Sequence, residues 1–111
     1  MAETIIDAAT FAELQEAAGA DFVVELVDTF LVEAPLMLAE LRSAHQAASA
    51  ERFRRAAHSL KSNGTTFGAT RLAAMARELE LGGLVDDPAP LDALEAESVR
   101  VAAALRELCN G

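Results

Sequence analysis

From Phe22 to Ala44 the apolar residues Phe22, Leu26, Phe30, Met37, Leu41 and Ala44 recur at spacings of three, four or seven, the period of one face of an α-helix. No β-strand shows that rhythm, so a chain with so long a stripe must bury it against other helices. Pro35 falls inside the run. Proline removes one intrahelical hydrogen bond and crowds the preceding turn, so a kink or a brief break is expected there.

Similar stripes follow. Phe53, Ala56, Ala57, Leu60, Gly64 and Phe67 mark a second long helix that weakens near Gly68. Thr70 can cap a third run through Leu72, Met75, Ala76 and Leu79, ended by Gly82-Gly83. The segment from Val85 to Pro90, with Asp86-Asp87 and two prolines, reads as a turn. Pro88 or Pro90 then opens a last helix with the stripe Leu91, Leu94, Ser98, Val101, Leu105 and Leu108, stopped by Asn110-Gly111. Upstream, Thr10-Phe11-Ala12-Glu13 has the pattern of a capping box, which starts a short helix that ends near Gly19.

Four long amphipathic helices on short loops bury their stripes most simply as an antiparallel up-and-down four-helix bundle, with the short additional N-terminal helix across one end. The expected fold is all-α. The 111 residues suit one domain, 1–111, with the bundle core at about 20–109. Alanine supplies 25 of those residues while Trp and Tyr are absent, which favours close helix packing through small side chains over a β-sandwich.

Charge narrows the function. Nine basic against 18 acidic residues give −9, a field that repels phosphate backbones and anionic lipid, so neither nucleic acid nor membrane is an expected partner. One cysteine, Cys109, and two histidines can form no internal disulfide and no zinc cluster. No metal and no cofactor are expected. The opening MAETIIDAAT lacks the basic start and apolar run of a signal peptide, and no stretch is apolar for about 18 residues. A cytoplasmic monomer is expected. Met1 and the Asn110-Gly111 end favour a free-standing protein over a piece of a larger kinase.

The chemistry lies between Arg52 and Phe67. At about 100° per residue from Leu60, the other stripe residues fall within roughly 60° and His58 falls about 160° away, facing solvent. A lone histidine is ordinarily a packed or solvated residue, and His45 fits that description. His58 differs. It faces outward, the only lysine, Lys61, sits one turn on, and Arg52, Arg54 and Arg55 complete a local cationic island in an acidic chain. Such a histidine suits nucleophilic capture of a phosphoryl group, with neighbouring cations stabilising the transferred oxygens. Its second ring nitrogen needs an acceptor, for which Glu78 and Glu80 on the next helix are candidates.

The run AAHSLKSNGTTFGATRLAAMARELE resembles the signature of histidine-containing phosphotransfer (HPt) domains of multistep two-component phosphorelays, H-x-[LIV]-K-[GS] followed by small residues and an apolar residue before Gly. His58, Leu60, Lys61, Ser62, Asn63-Gly64, Phe67 and Gly68 match it, and Leu26, Phe30-Leu31 and Pro35 resemble the family's long first bundle helix. The similarity covers about residues 20 to 109. It implies a four-helix bundle in which His58 accepts a phosphoryl group on Nε2 and Lys61 supports it. Glu80, 22 positions after His58, stands where several members carry a Gln that bonds the other ring nitrogen. Ser62 stands where glycine is commonest. Both are departures; a carboxylate can accept the same bond, and serine is also small.

The resemblance implies a phosphocarrier, not an enzyme with its own kinase or ATP site, and no glycine-rich phosphate loop is present. The implied partners are receiver domains of response regulators and of a hybrid sensor kinase, which supply the Mg²⁺ and acidic cluster themselves. Sensor-kinase dimerisation domains also expose a histidine but follow it with an acidic residue and soon a proline, unlike Ser59. The alternative is a helical adaptor that binds a receiver or kinase without being phosphorylated; an enzyme using His58 as general base lacks a pocket or partner nucleophile. The receiver is expected to dock over His58, with the small Ser62 one turn on leaving the approach open, and with Val27, Leu31 and neighbouring residues of the long helix as the apolar part of the surface.

Overall fold

A computed structural model describes residues 5–110, all helix and connections without a strand among them. The helices are α1 (Ala8–Ala18), α2 (Ala20–Gln46), α3 (Ala50–Phe67), α4 (Thr70–Gly82) and α5 (Ala89–Asn110). Around the core α2 packs on α3, α3 on α4, α4 on α5, and α5 back on α2, while α1 lies against α2 and α3. Phe30 of α2 and Phe67 of α3 meet edge to face at 5.6 Å, a pairing that contributes about 0.5–1.5 kcal/mol beyond its burial. Among the described residues no helix is long and apolar enough to cross a membrane.

α3 follows its stripe residue for residue: Phe53, Ala56, Ala57, Leu60, Gly64 and Phe67 are its buried positions. Ser49 caps it, and Gly68 ends it in the left-handed region at φ 79°, where a side chain would be strained. A Cβ on Gly68 would also stand 2.9 Å from Thr10 of α1. The chain before α1 is tied to the same corner, because the Asp7 amide donates to the Gly68 carbonyl at 2.8 Å.

Other boundaries and faces differ from the sequence reading. α1 begins before the Thr10 box, at an N-cap formed by Asp7. The Asp7 carboxylate accepts from both the Thr10 amide (3.0 Å) and the Thr10 hydroxyl (2.6 Å), which holds the Asp7 carboxyl below its ordinary range. An aspartate satisfies two donors at once where the threonine could satisfy one. α2 runs through Pro35 without a break. The proline is exposed, so water can reach the carbonyl that loses its partner.

The buried face of α2 is Val23, Val27, Phe30, Ala34, Leu38, Leu41 and Ala44. Phe22 is half exposed, one residue out of phase. Thr70 is the first residue of α4 and not its cap, a place taken by Ala69 without a side-chain bond. In α5 the stripe holds from Leu91 to Leu105, but Leu108 is exposed and Glu97 is buried. Glu97 accepts from Arg100 at 2.9 and 2.7 Å, with Arg71 of α4 at 3.8 Å, so its buried charge is compensated. The Gly111 half of the expected C-terminal stop lies outside the described residues, as does Met1.

Candidate functional site around His58

His58 stands on the solvent face of α3, opposite the stripe that anchors the helix. Across the groove to α4, its Nδ1 donates to Glu80 Oε2 at 2.6 Å. A carboxylate in this position can only accept, so the proton of a neutral ring sits on Nδ1. Nε2 then keeps its lone pair and faces outward.

The second oxygen of the same carboxylate is also engaged. Lys61 Nζ donates to Glu80 Oε1 at 2.6 Å. Exposure falls inward across the cluster, from 56% for the His58 side chain to 28% for Lys61 and 12% for Glu80. The Lys61 ammonium first and His58 second hold the Glu80 carboxyl below its usual range, against the opposing effect of desolvation. Of the two acidic candidates, Glu80 makes the bond. Glu78, two residues earlier and so on another side of the helix, is exposed.

α3 and α4 come close enough for this contact because Gly64 lies at their crossing. A Cβ there would meet the Ala73 amide nitrogen at 3.1 Å and the Ala69 carbonyl oxygen at 3.3 Å. The sequence marked Gly64 as apolar stripe; its part in setting the helix separation follows from contacts that no single-helix pattern contains.

The cationic island is less free than the sequence suggests. Arg52 turns to α2, where it binds both oxygens of Glu40 at 2.9 and 2.8 Å and the Ser43 hydroxyl at 3.0 Å. Arg54 and Arg55 stay exposed on the His58 side. Ser62, one turn beyond His58, is exposed and small, leaving the approach to Nε2 open. His45 lies away from this site: its Nε2 donates to the Val85 carbonyl at 2.6 Å, tying α2 to the α4–α5 connection. Among the described residues no group of three or more His, Cys, Asp or Glu side chains could hold a metal ion.

The apolar surface beside the site also moves. Val27 is buried at 1% exposure, and Leu31 is half-buried against the core. Both lie at the edge of the stripe expected from sequence, which shares Phe30, Leu41 and Ala44 with the buried face but takes Phe22 and Leu26 where the structure buries Val23 and Val27. The most exposed large apolar residues of α2 are instead Val32 and Leu36, at 66% and 64%, ahead of Phe22 and Val24 near its start. Leu36 lines an open groove of about 500 Å³ between α2 and α3 together with Met37, Arg55 and Ser59.

Comparison with known proteins agrees with the helical fold. The profile of the Hpt domain family matches residues 25–110. The crystal structure of histidine-containing phosphotransfer protein B (HptB) from Pseudomonas aeruginosa PAO1 is similar with a TM-score of 0.88 and 30% sequence identity, over 98% of this chain and 97% of that one. No curated protein matches the sequence.

Proposed function

The chain belongs to the Hpt domain family, whose members are phosphocarriers and not kinases, and its role is histidine phosphotransfer in a two-component phosphorelay; from that premise we propose that His58 carries the phosphoryl group. The observation that carries the assignment is the 2.6 Å bond from Nδ1 to Glu80 on a histidine whose other nitrogen faces solvent. In the proposed step the Nε2 lone pair attacks the phosphorus of a receiver's aspartyl phosphate. The N–P bond forms as the acyl phosphate P–O bond breaks, and the electron pair leaves with the receiver's carboxylate. The Nδ1 proton stays in place, held by Glu80, which offsets the positive charge growing on the ring. The reverse step passes the group to a second receiver.

HPt proteins interact with receiver domains. The surface that fits one here combines His58, the small Ser62 and the outward Leu36 and Val32, with Arg55 at its edge. The partners we assign are response-regulator receivers and the receiver of a hybrid sensor kinase, met by a cytoplasmic monomer without an ATP site of its own. The ring of contacts from α2 through α5 supports an antiparallel up-and-down four-helix bundle, with α1 across one end.

Incubation with a phosphorylated receiver should give an acid-labile, base-stable phosphoprotein, and His58→Gln should abolish the label while leaving the helical spectrum intact. A His58→Gln variant that still labels would refute the assignment. Receiver binding without label in the parent would favour the adaptor reading.

A further inference from the structure

Glu80 presents one carboxylate to two residues of the same helix: Oε1 to Lys61 and Oε2 to His58, each at 2.6 Å. Lys61 follows His58 by three positions on α3, whereas Glu80 reaches across from α4. A carboxylate held at one oxygen can turn about its last torsion and exchange its other oxygen for water. Held at both, it is fixed in the plane that aims Oε2 at Nδ1. The Lys61 side chain is less exposed than that of His58, and one of the three ammonium donors is already committed to Glu80.

We infer that Lys61 acts on His58 through Glu80, as a positioning residue that holds the carboxylate in line with Nδ1 and so keeps Nε2 unprotonated. The inference rests on His58 being the phosphoacceptor, but it concerns the protein before any phosphoryl group arrives. An isolated imidazole favours the opposite tautomer, with its proton on Nε2, and that form has no lone pair where the attack must occur. Loss of Lys61 frees Glu80 to rotate and hydrate, and the Nδ1–H population falls. The competing arrangement, in which Lys61 leaves Glu80 and binds the phosphoryl oxygens directly, predicts no change in the resting protein.

The two are separated with ¹⁵N-histidine-labelled protein and the variants Lys61→Met, Lys61→Arg, Glu80→Ala and Lys61→Met/Glu80→Ala. Nitrogen chemical shifts of His58 report its tautomer without a phosphoryl donor, and transfer from a phosphorylated receiver reports rate. Lys61→Met should move the His58 shifts toward those of Glu80→Ala, and Lys61→Arg, which keeps the ion pair, should restore them. Lys61→Met and Glu80→Ala should each slow transfer by about tenfold, the scale of one charge-assisted hydrogen bond, with Lys61→Arg near the parent and the double variant no slower than the slower of those two. Unchanged tautomer shifts in Lys61→Met, or a double variant slowed by the product of the two single effects, would overturn the inference. Failure of the phosphoacceptor reading looks different, as label persisting in His58→Gln while the tautomer shifts still respond to Lys61.

Discussion

Replacing Gly64 by alanine tests the packing that brings α4 within reach of His58. The new Cβ would stand 3.1 Å from the Ala73 nitrogen, 3.3 Å from the Ala73 Cα and 3.3 Å from the Ala69 oxygen. All three atoms are backbone. No side chain can rotate away, and the Ala73 amide already donates to the Ala69 carbonyl at 2.9 Å in the first turn of α4. Relief requires α4 to move as a unit by a few tenths of an ångström. Overpacking of this kind costs about 1–3 kcal/mol, whereas alanine in a helix interior is favoured over glycine by about 0.8–1 kcal/mol. The overpacking dominates, leaving a net loss of about 1 kcal/mol and a melting temperature lower by about 4 °C for a domain of this size.

Thermal and urea unfolding followed by circular dichroism measure this directly. Ser62→Ala, on the exposed face of the same helix, is the control: it gains helix propensity without meeting α4 and should melt at or slightly above the parent. The site itself should survive Gly64→Ala. The His58–Glu80 bond of 2.6 Å lengthened by a few tenths remains within ordinary hydrogen-bond range, so transfer should stay within about threefold of the parent. A Gly64→Ala protein as stable as the parent would show that the crossing has slack. A protein that kept its stability but lost transfer would show that the His58–Glu80 geometry tolerates less displacement than its length suggests.

Ser62→Trp should weaken receiver binding and transfer sharply, with Ser62→Gly close to the parent and both melting near it; unchanged affinity and rate for the tryptophan variant would mean the receiver approaches over another face. His45→Ala should lose about 0.5–1.5 kcal/mol of stability with the bond to Val85 and leave transfer unchanged, and a defect in transfer would mean that the α4–α5 connection takes part in docking. The Glu80 carboxyl, followed by its carbon chemical shift, should titrate below the 4.5 of an unperturbed glutamate. Because the folded value is depressed, its bonds to His58 and Lys61 contribute fully above the ordinary range and are lost only as pH falls through the lowered value. Lys61→Met should raise that midpoint, Lys61 being the larger cause; a parental midpoint at or above 4.5 would contradict the geometry.

What could be read from the sequence tracks how amphipathic each helix is. α3 alternates charge and bulk cleanly, with Arg54, Arg55 and His58 outside and Phe53, Leu60 and Phe67 inside, so a single wheel recovers its whole buried face. α2 offers apolar residues all round: Phe22 beside Val23, Leu26 beside Val27, Leu31 beside Phe30, Met37 between Leu36 and Leu38. Two stripes one residue apart then fit the period equally well, and only the partners α3 and α5 decide between them. Because of that ambiguity the sequence places Val27 and Leu31 at the edge of the stripe, whereas the structure buries Val27 and leaves Val32 and Leu36 outward. Glu97 was passed over for a related reason, since compensation by Arg100 and Arg71 overrides the rule that a charge lies outside.

The site divides along the same line. The outward direction of His58 is a property of one helix and was visible in one helix. Its pairing with Glu80 needs two helices in register, which residue spacing alone left open between Glu78 and Glu80. The Lys61–Glu80 contact needs a further degree of detail. Lys61 lies about 100° from Leu60 on the wheel, the same side from which Gly64 meets α4. Its chain is therefore directed along the α3–α4 seam and not straight out toward an incoming receiver. Arg52 lies on the opposite flank, toward α2, and finds Glu40. An outward count of positive residues around His58 thus overstates the charge available to a phosphoryl group, because two of its four cations are turned aside by carboxylates on neighbouring helices. Arg54 and Arg55, the exposed pair on the preceding turn, are the two cations of that island left outward beside His58, while Lys61 is turned along the seam to Glu80.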